Sequence, residues 1–327
     1  MTKQIELNFS NKITYMNSKY NFIDLFAGIG GIRRGFEKVF KDDSSFVFSS
    51  EIDKYAQITY ELNYGEKPFG DITQINEQEI EKHDIILAGF PCQAFSIAGL
   101  RKGFEDTRGT LFFDVARIAQ YHKPKVIFLE NVKGFVNHDK GNTFKVVKET
   151  LENIGYSVFY KVLNAKDFGV PQNRERIYIV AFLKGNIEFS FPEPITKHLK
   201  LGDILEEVVD SKYTISDKLW AGHKRRKEEH KQKGKGFVYC LFNHESKYTS
   251  TISARYYKDG SEILIEQKNM NPRKLTPREA ARLQGYDDNF KIAVSDTQAY
   301  KQFGNSVAVP VIEAIAKEIK KTLEKNF

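Results

Sequence analysis

The sequence predicts an α/β fold, with a mostly parallel sheet, helices on both of its faces, and a second, smaller lobe. Short apolar runs alternate with helical patterns over residues 20–182, as in proteins built from βαβ units. A glycine-rich turn at 27–31 joins the first strand to the first helix, where nucleotide-binding folds carry such a turn. At 327 residues, the chain also exceeds the size at which a single core stops growing.

The elements follow in order from their patterns. Tyr20–Phe26 is typical of a strand, Ile32–Phe40 of a helix and Phe46–Ser50 of a second strand. The alternation continues with strands at 85–89, 126–129, 158–163 and 177–182 and helices at 110–120 and 144–153. It stops after 191–194, where a polar, basic region begins. Near the end, 309–323 has apolar residues at helical spacing, so we expect this helix to pack back onto the first lobe.

Composition narrows the class of protein. The net charge of +7 and the pI near 9.0 favour a polyanionic partner. Two cysteines, Cys92 and Cys240, are too few for a disulfide framework, and no Cys/His cluster has the spacing of a zinc site. The sequence has no run of eighteen apolar residues, and its first twenty residues lack the apolar core of a signal peptide. We therefore expect a cytoplasmic protein that binds neither a membrane nor a metal.

A thiol and a carboxylate follow two of the predicted strands. Cys92 comes after the apolar run at 85–89, and Glu130 comes after the run at 126–129. Because parallel strands deliver their following loops to one edge of the sheet, we expect these side chains to be neighbours. A thiol beside a carboxylic acid suits addition of sulfur to an electron-poor ring such as cytosine, while the acid protonates a ring nitrogen. The alternative is that Cys92 is a small buried core residue.

The glycine turn has the setting of a nucleotide site. Its glycines let the backbone turn tightly and let a ligand come close. Glu51 lies about twenty residues later, after the second strand, where an acidic side chain binds a ribose, and Asp71 follows further on. The glycine spacing departs from G-x-G-x-x-G, which favours a mononucleoside cofactor over NAD. A purely structural turn is the alternative.

With these residues in view, the chain resembles the bacterial DNA (cytosine-5)-methyltransferases, in their Dcm-like branch, over nearly its full length. The matching motifs are the cofactor loop at 24–31, the nucleophile at 91–93, the acid at 130–132, the arginine motif at 172–176 and the last two motifs at 273–286 and 302–307. The resemblance implies a Rossmann-like fold that uses S-adenosylmethionine. It implies methylation of cytosine C5 in double-stranded DNA, on a base rotated out of the duplex.

The resemblance also implies a division of the chain and a role for particular residues. Residues 1–194, completed by 291–327, would form the catalytic domain, and 195–290 the target-recognition domain. Cys92 would attack C6, Glu130 would protonate N3, Arg176 would donate to O2, and Arg174 would reach a phosphate or the same ring. For the two arginines, the alternative is an ion pair with Glu175 or Asp167. The implied cofactor-binding residues are Phe26, Gly28, Gly30, Gly31, Glu51, Ile52, Asp71, Ile72, Gly89, Pro91, Asn305 and Ser306.

DNA contacts are expected from three segments. The stretch 95–109 resembles the family's mobile active-site loop, with an ordinary exposed connection as the alternative. The stretch 249–265 mixes aromatic and basic residues around a glycine turn, which suits base reading. The basic run 223–236 suits either phosphate contact or a solvated helix face. The expected DNA-binding residues are Gln93, Arg101, Arg108, Arg255, Tyr256 and Lys258.

The recognition region resembles that of the Dcm-like branch, so we expect a CCNGG, CCWGG or CCGG target. We expect a monomer on DNA that protects host DNA in a restriction-modification system, without a stable complex with its endonuclease. Two other functions stay open. An RNA cytosine-5 methyltransferase of the same fold normally carries a Cys-Phe-Thr signature, which is absent here. A catalytically silent DNA-binding module would lack a chemical part, whereas Cys92, Glu130, Arg176 and the glycine loop are all present.

Overall fold

A six-stranded sheet lies at the centre of the protein. The computed structural model describes residues 18–91, 111–183, 185–195, 199–234, 236 and 238–327. The strands of this sheet are β1 (Tyr20–Leu25), β2 (Ser44–Ser50), β3 (Ile85–Ala88), β4 (Val126–Val132), β5 (Ser157–Asn164) and β6 (Glu175–Phe182). Their order is β2-β1-β3-β4-β6-β5. β1 to β4 pair in parallel, while β6 lies between β4 and β5 and runs antiparallel to both. The predicted α/β class with a mostly parallel sheet is confirmed.

The described helices include several that the apolar pattern did not predict. They are α1 (Gly31–Phe40), α2 (Lys54–Tyr64), α3 (Phe112–His122), α4 (Asn142–Asn153), α5 (Asp217–Gln232), α6 (Pro277–Leu283), α7 (Asp296–Asn305) and α8 (Val309–Asn326). We predicted α1, α3, α4 and α8, whose apolar residues recur at helical spacing. The helix α2 is defined at its ends instead, since Asp53 accepts from the Ala56 N–H and Gly65 closes the helix at φ 75°. Within the described ranges, no helix is both long and apolar enough to cross a membrane.

The sheet is covered by a separate apolar core on each face. On one face, Phe22 and Phe128 pack with α1 and α8. On the other face, Ile23 and Ile127 pack with α3 and α4. The contact between α1 and α8 is close, because a Cβ added to Gly35 would lie 2.5 Å from the Ile312 side chain. The last helix therefore returns to the sheet, as its apolar spacing predicts.

A third core joins the segments after residue 200 to α6 and α7. Ile252, Leu275 and Phe303 are fully buried in it. A short two-stranded pair, β7 (Leu241–Phe242) and β8 (Leu264–Ile265), lies in the same region. Arg273 and Glu279 form a buried bidentate ion pair there, with N···O distances of 2.7 and 2.8 Å. This core links the region between 201 and 290 to α7, whose end lies at the edge of the sheet.

Candidate active site

One cleft lies at the carboxyl ends of β1 to β4, with a volume of about 460 Å³. The loops that follow these strands form its walls, together with the end of α7. This is the edge at which open α/β sheets bind ligands. It brings together all but one of the residues that we expected to bind the cofactor, namely Phe26, Gly28, Gly31, Glu51, Ile52, Asp71, Ile72, Gly89, Pro91, Asn305 and Ser306.

The loop after β1 contains two residues with left-handed backbone conformation. Phe26 has φ 55° and Gly28 has φ 54°, a left-handed region that costs a non-glycine residue energy and is found at binding sites. A Cβ added to Gly28 would meet no atom within 4 Å, so this position faces open space. Gly30 differs, because a Cβ there would lie 2.2 Å from the Tyr64 ring. Gly30 is therefore required for packing against α2, and the described cleft lining does not include it.

Glu51 fixes this loop through both carboxylate oxygens. Its Oε2 accepts from the Gly28 N–H at 2.7 Å, and its Oε1 accepts from the Asp53 N–H at 2.7 Å. Burial raises the pKa of Glu51, although the two backbone N–H groups oppose that shift. The carboxylate thus ties the glycine loop to the start of α2 while its own edge lines the cleft.

Three further features of the cleft match a nucleoside ligand. The Ser50 hydroxyl is buried and has no hydrogen-bond partner among the described residues, although Ser50 lines the cleft. Ile52 lines the cleft and is 70% exposed, so its apolar surface is accessible to a ligand there. Asp71 holds the following turn by accepting from the Thr73 N–H at 3.0 Å. Carboxylate, hydroxyl and apolar surfaces within one cleft fit the ribose, amine and ring of an adenosine group.

At the other end of the cleft, Glu130 lies against Arg176. The Arg176 Nε and the Glu130 Oε1 are 3.2 Å apart, and both side chains are largely buried. β6 begins at the edge where β4 ends, so the antiparallel pairing of Val132 with Arg176 brings the two together. Burial raises the pKa of Glu130, and Arg176 and Arg174 oppose that shift. Gly89 lies beside this carboxylate, since a Cβ there would be 3.7 Å from the Glu130 Oε2.

Arg174 donates hydrogen bonds to the backbone of other segments. Its guanidinium is buried and donates to the backbone carbonyls of Ile252 at 3.1 Å and Gly304 at 3.2 Å, and also to that of Ser306. Burial, with the charge of Arg176, lowers the pKa of Arg174 to about 9. Both terminal nitrogens donate to backbone, which gives Arg174 a positioning role, while its Nε has no hydrogen-bond partner among the described residues and the side chain lines the cleft. The expected contact with a phosphate or the target ring stays a prediction. The alternative ion pair is absent for Glu175, which pairs with Lys133 at 2.9 Å.

Asn131 lines the cleft, although we predicted no separate role for it. It is buried, and its Nδ2 donates to the Phe90 carbonyl at 2.8 Å. Its Oδ1 accepts from the Val132 N–H at 2.8 Å. Asn131 therefore joins the end of β4 to the segment that leads into residue 92. Its position directly after Glu130 was the available signal.

Of the expected DNA-binding residues, the structure describes Arg255, Tyr256 and Lys258. Cys92, Gln93, Arg101 and Arg108 lie outside the described residues. Arg255 and Lys258 are exposed on the turn that follows Ile252. Tyr256 is fully buried, donating to the Ile263 carbonyl at 2.6 Å and accepting from the Leu275 N–H at 2.8 Å. Its expected DNA contact is therefore wrong, because the third core and two backbone bonds enclose the whole side chain.

The basic run at 223–236 falls largely on α5, next to this turn. His223 is buried, and Arg226 connects the helix to the turn through an ion pair with Asp259 at 3.5 Å. The remaining cations of the helix are exposed, namely Lys218, Lys224, Arg225, Lys227 and Lys231.

Residues 20–321 match the model of the C-5 cytosine-specific DNA methylase family. The chain belongs to this family: it is a DNA cytosine C5 methyltransferase, and its cofactor is S-adenosylmethionine. It is 61% identical over 322 residues to the Type II methyltransferase M1.ScrFI of Lactococcus lactis subsp. cremoris, covering 97% of this chain and 82% of that protein. It is 63% identical over 305 residues to the Type II methyltransferase M.NlaX of Neisseria lactamica, covering 93% of this chain and 97% of that protein.

The fold also matches solved structures of lower sequence identity. The S. pombe Dnmt2 methyltransferase aligns with a TM-score of 0.77 at 23% identity, covering 94% of this chain and all of that chain. The Entamoeba histolytica methyltransferase EhMeth aligns with a TM-score of 0.74 at 23% identity, covering 93% of this chain and 98% of that chain. These likenesses establish the fold alone.

We predict that Glu51→Gln weakens binding of S-adenosylhomocysteine about tenfold or more, since hydrogen bonds to charged groups contribute about 1.5–3 kcal/mol. An amide has only one oxygen, so its NH₂ would face the N–H of Gly28 or of Asp53. Isothermal titration calorimetry measures the affinity. Glu61→Gln, on the exposed side of α2, is the matched control. Equal affinity in the two variants would contradict the assigned role of Glu51.

Proposed function

We propose that the chain methylates cytosine C5 in this cleft, with the cofactor held between the glycine loop and Glu51 and the target base held at Glu130 and Arg176. The single observation that carries the proposal is the contact between Glu130 and Arg176 in the same cleft as Glu51. An acid can bind N3 of a cytosine while a fixed cation donates to O2 of the same base. The base would have to leave the duplex to reach them.

The cofactor half of the cleft is assigned by side-chain chemistry. S-adenosylmethionine supplies an electrophilic methyl group on its sulfonium. In the proposal, Glu51 accepts from the ribose hydroxyls, Asp71 and Ile72 hold the adenine amine and face, and Phe26 stacks near the adenine. Gly89 and Pro91 border the methionine portion, where the absence of a side chain at Gly89 leaves space next to Glu130. Asn305 and Ser306 close the opposite wall.

The chemistry needs a nucleophile, and Cys92 is the residue that follows Pro91 in the sequence, where Pro91 lines the cleft. The Cys92 thiolate would form a bond to C6 while Glu130 gives a proton to N3, so that no carbanion has to form. C5 would then be nucleophilic and would accept the methyl group, which leaves S-adenosylhomocysteine behind. A base would remove the C5 proton, and the C5–C6 double bond would re-form as the S–C6 bond breaks and releases the Cys92 thiolate. The Glu130 carboxylate would take its proton back from N3, which leaves the methylated base neutral. Arg176 stabilises the charge that develops on O2.

The buried position of Glu130 suits this proton transfer. Burial raises its pKa, so the acid form persists to higher pH than in an exposed glutamate. Arg176 limits the shift and keeps the carboxyl oriented. Asn131 supports the same geometry, because it bonds the Phe90 carbonyl two residues before Cys92. We therefore treat Asn131 and Arg174 as positioning residues, and Cys92, Glu130 and Arg176 as catalytic residues.

Duplex DNA would lie across the region between residues 195 and 290, which we propose as the target-recognition domain, with 1–194 and 291–327 as the catalytic domain. Arg255 and Lys258 are exposed on a turn close to the cleft wall. In the proposal, they contact base edges. The exposed cations of α5 flank that turn and would contact phosphates, which adds affinity that falls with salt. Gln93, Arg101 and Arg108 are assigned to the active-site loop by the family resemblance alone.

The biological setting is also a proposal. Relatives named Type II methyltransferases support a role in protecting host DNA within a restriction-modification system. We propose that the chain acts in the cytoplasm as a monomer on DNA and forms no stable complex with its cognate endonuclease. The proposed target is a short site of the CCNGG, CCWGG or CCGG type.

Bisulfite sequencing of DNA from cells that express the protein tests both activity and target. We expect protected cytosines at one position of a single short motif with CC and GG ends. DNA from cells that express the Cys92→Ser variant provides the baseline. Protection at unrelated motifs would overturn the proposed target, and protection absent from DNA but present in tRNA would overturn the choice of substrate.

We predict that Cys92→Ser binds DNA but transfers no detectable methyl group, because a serine hydroxyl is not ionised at neutral pH. Transfer of label from radioactive S-adenosylmethionine to plasmid DNA measures the activity, and a gel-shift titration measures the binding. Cys240→Ser is the matched control, since Cys240 is a half-buried cysteine away from the cleft. Full activity in Cys92→Ser would refute the nucleophile.

We predict that Glu130→Gln lowers kcat about 10²- to 10⁴-fold with little change in DNA affinity, because an amide cannot protonate N3. In the wild type, kcat should fall as the pH rises through the raised pKa of Glu130, since the acid form is lost there. The residual rate of the variant should lack this alkaline limb. Glu175→Gln, which changes an exposed carboxylate nearby, is the control. An unchanged kcat and pH profile in Glu130→Gln would remove Glu130 from the mechanism.

A further inference from the structure

The turn that carries Asp71 lies in a segment with little regular structure. Within the described residues, 70–80 forms only two short 3₁₀ turns, which have few internal hydrogen bonds. Just before the turn, the Phe69 backbone bonds Ser49 and Glu51 at the end of β2, both at 2.8 Å. Beyond Asp71, the position of the segment therefore depends on hydrogen bonds from side chains of other elements.

Arg117, on α3, holds this segment with its guanidinium. Its Nη2 donates to the Ile72 carbonyl at 2.8 Å, and its Nη1 donates to the Glu77 Oε2 at 2.7 Å. Its Nε donates to the Asp114 Oδ1 at 3.0 Å, which fixes the guanidinium on its own helix. The His122 Nε2, at the end of α3, donates to the Glu77 carbonyl at 2.8 Å. A planar guanidinium presents its donors in a fixed geometry, so α3 holds the segment in one position.

The helix α3 is itself fixed to the sheet. Val115 and Ile118 are fully buried in the apolar core on this face of the sheet. The Arg117 side chain is 26% exposed, so its hydrogen bonds are largely shielded from water, which strengthens them. Arg117 therefore connects the turn at Asp71 and Ile72 to the sheet that carries the rest of the cleft.

Asp71 uses one carboxylate oxygen for the turn and leaves the other available. Its Oδ1 accepts from the Thr73 N–H at 3.0 Å and from the Thr73 hydroxyl at 2.8 Å. Its Oδ2 has no hydrogen bond among the described residues, and Asp71 lines the cleft. Burial raises the pKa of Asp114, Arg117 opposes that shift, and the charge of Asp71 adds to it. The Arg117 cation thus also balances two neighbouring carboxylates.

We infer that Arg117 is a positioning residue for the cofactor and that it sets the preference for adenine at this site. By bonding the Ile72 carbonyl and Glu77 to α3, it keeps the free Oδ2 of Asp71 at a fixed place in the cleft. That oxygen accepts from the 6-amino group of adenine, and a base without this amine leaves it unpaired. This inference rests on the proposed assignment of the cleft to S-adenosylmethionine.

Two ligands that differ at one position of the purine test this inference. Calorimetry gives the Kd of S-adenosylhomocysteine and of its 6-deamino analogue, in which hydrogen replaces the amino group. We call the ratio of the two Kd values the amine preference. In the wild type, we expect the analogue to bind about tenfold more weakly or worse, because a hydrogen bond to a charged group is lost. A general loss of structure would weaken both ligands alike and would not change the amine preference.

Arg117→Met should bring the amine preference towards one, because Asp71 is then no longer held opposite the amine. Asp71→Ala removes the accepting oxygen and gives the reference value for a complete loss. When both changes are combined, we expect no further fall, since residues that act through one interaction are not additive. Arg117→Lys should lower the preference less, because an ammonium keeps the charge but lacks the planar set of donors. It tests the role even where Arg117→Met does not fold.

Lys123→Met is the matched control. Lys123 directly follows α3, and its Nζ donates to the Ile154 carbonyl at 2.8 Å. This variant therefore also removes a cation that bonds a backbone carbonyl of another segment, but the described cleft lining does not include either residue. We expect Lys123→Met to keep the wild-type amine preference.

An unchanged amine preference in the folded Arg117 variants, together with its loss in Asp71→Ala, would overturn the role of Arg117 and leave the proposed function intact. An equal fall in Lys123→Met would also overturn that role, because the effect would not be specific to the turn. A wild-type preference of one would remove Asp71 from adenine recognition, and the inference with it. Failure of S-adenosylhomocysteine to bind the wild type would instead overturn the assignment of the cleft itself.

Discussion

Glu130 and Arg176 lie on neighbouring strands that run in opposite directions, and their contact depends on that reversal. A parallel strand at the position of β6 would deliver its first residues to the opposite edge of the sheet. Because β6 is antiparallel, its first residues meet the last residues of β4, and Arg176 lies across from Val132. The acid and the cation are then 3.2 Å apart in a largely buried setting. This setting raises the pKa of Glu130 and keeps it from ionising as readily as an exposed glutamate.

The rest of the cleft is assembled around that pair by residues far apart in the chain. Glu51 holds the glycine loop after β1, Asn131 holds the segment after β3, and Arg174 holds the end of α7. Each of these side chains bonds backbone groups of another element. Each wall of the cleft is therefore fixed relative to its neighbours, which keeps the proposed cofactor and base positions at a constant separation. The return of α8 onto α1 brings the end of α7 to this edge.

The sequence alone was sufficient to predict the elements that depend on local residue patterns. Apolar runs located β1 to β6, and the turn after β1 was recognisable because glycines at 28 and 30 need positive φ. The direction of β6 was not readable, because an apolar run does not record which neighbour it pairs with. The burial of Arg174 and Tyr256 was not readable for a related reason. Their burial is produced by segments that pack on them from distant parts of the chain, and polar or aromatic residues in a basic region look exposed in sequence.

A crystal structure of the protein with S-adenosylhomocysteine would test the central claim most directly, namely that one sheet edge holds both the cofactor and the reacting base. We predict electron density in the cleft with the ribose hydroxyls within hydrogen-bond distance of Glu51 and the sulfur on the side of Gly89 and Glu130. Binding at any other surface, or a ribose turned away from Glu51, would contradict this claim.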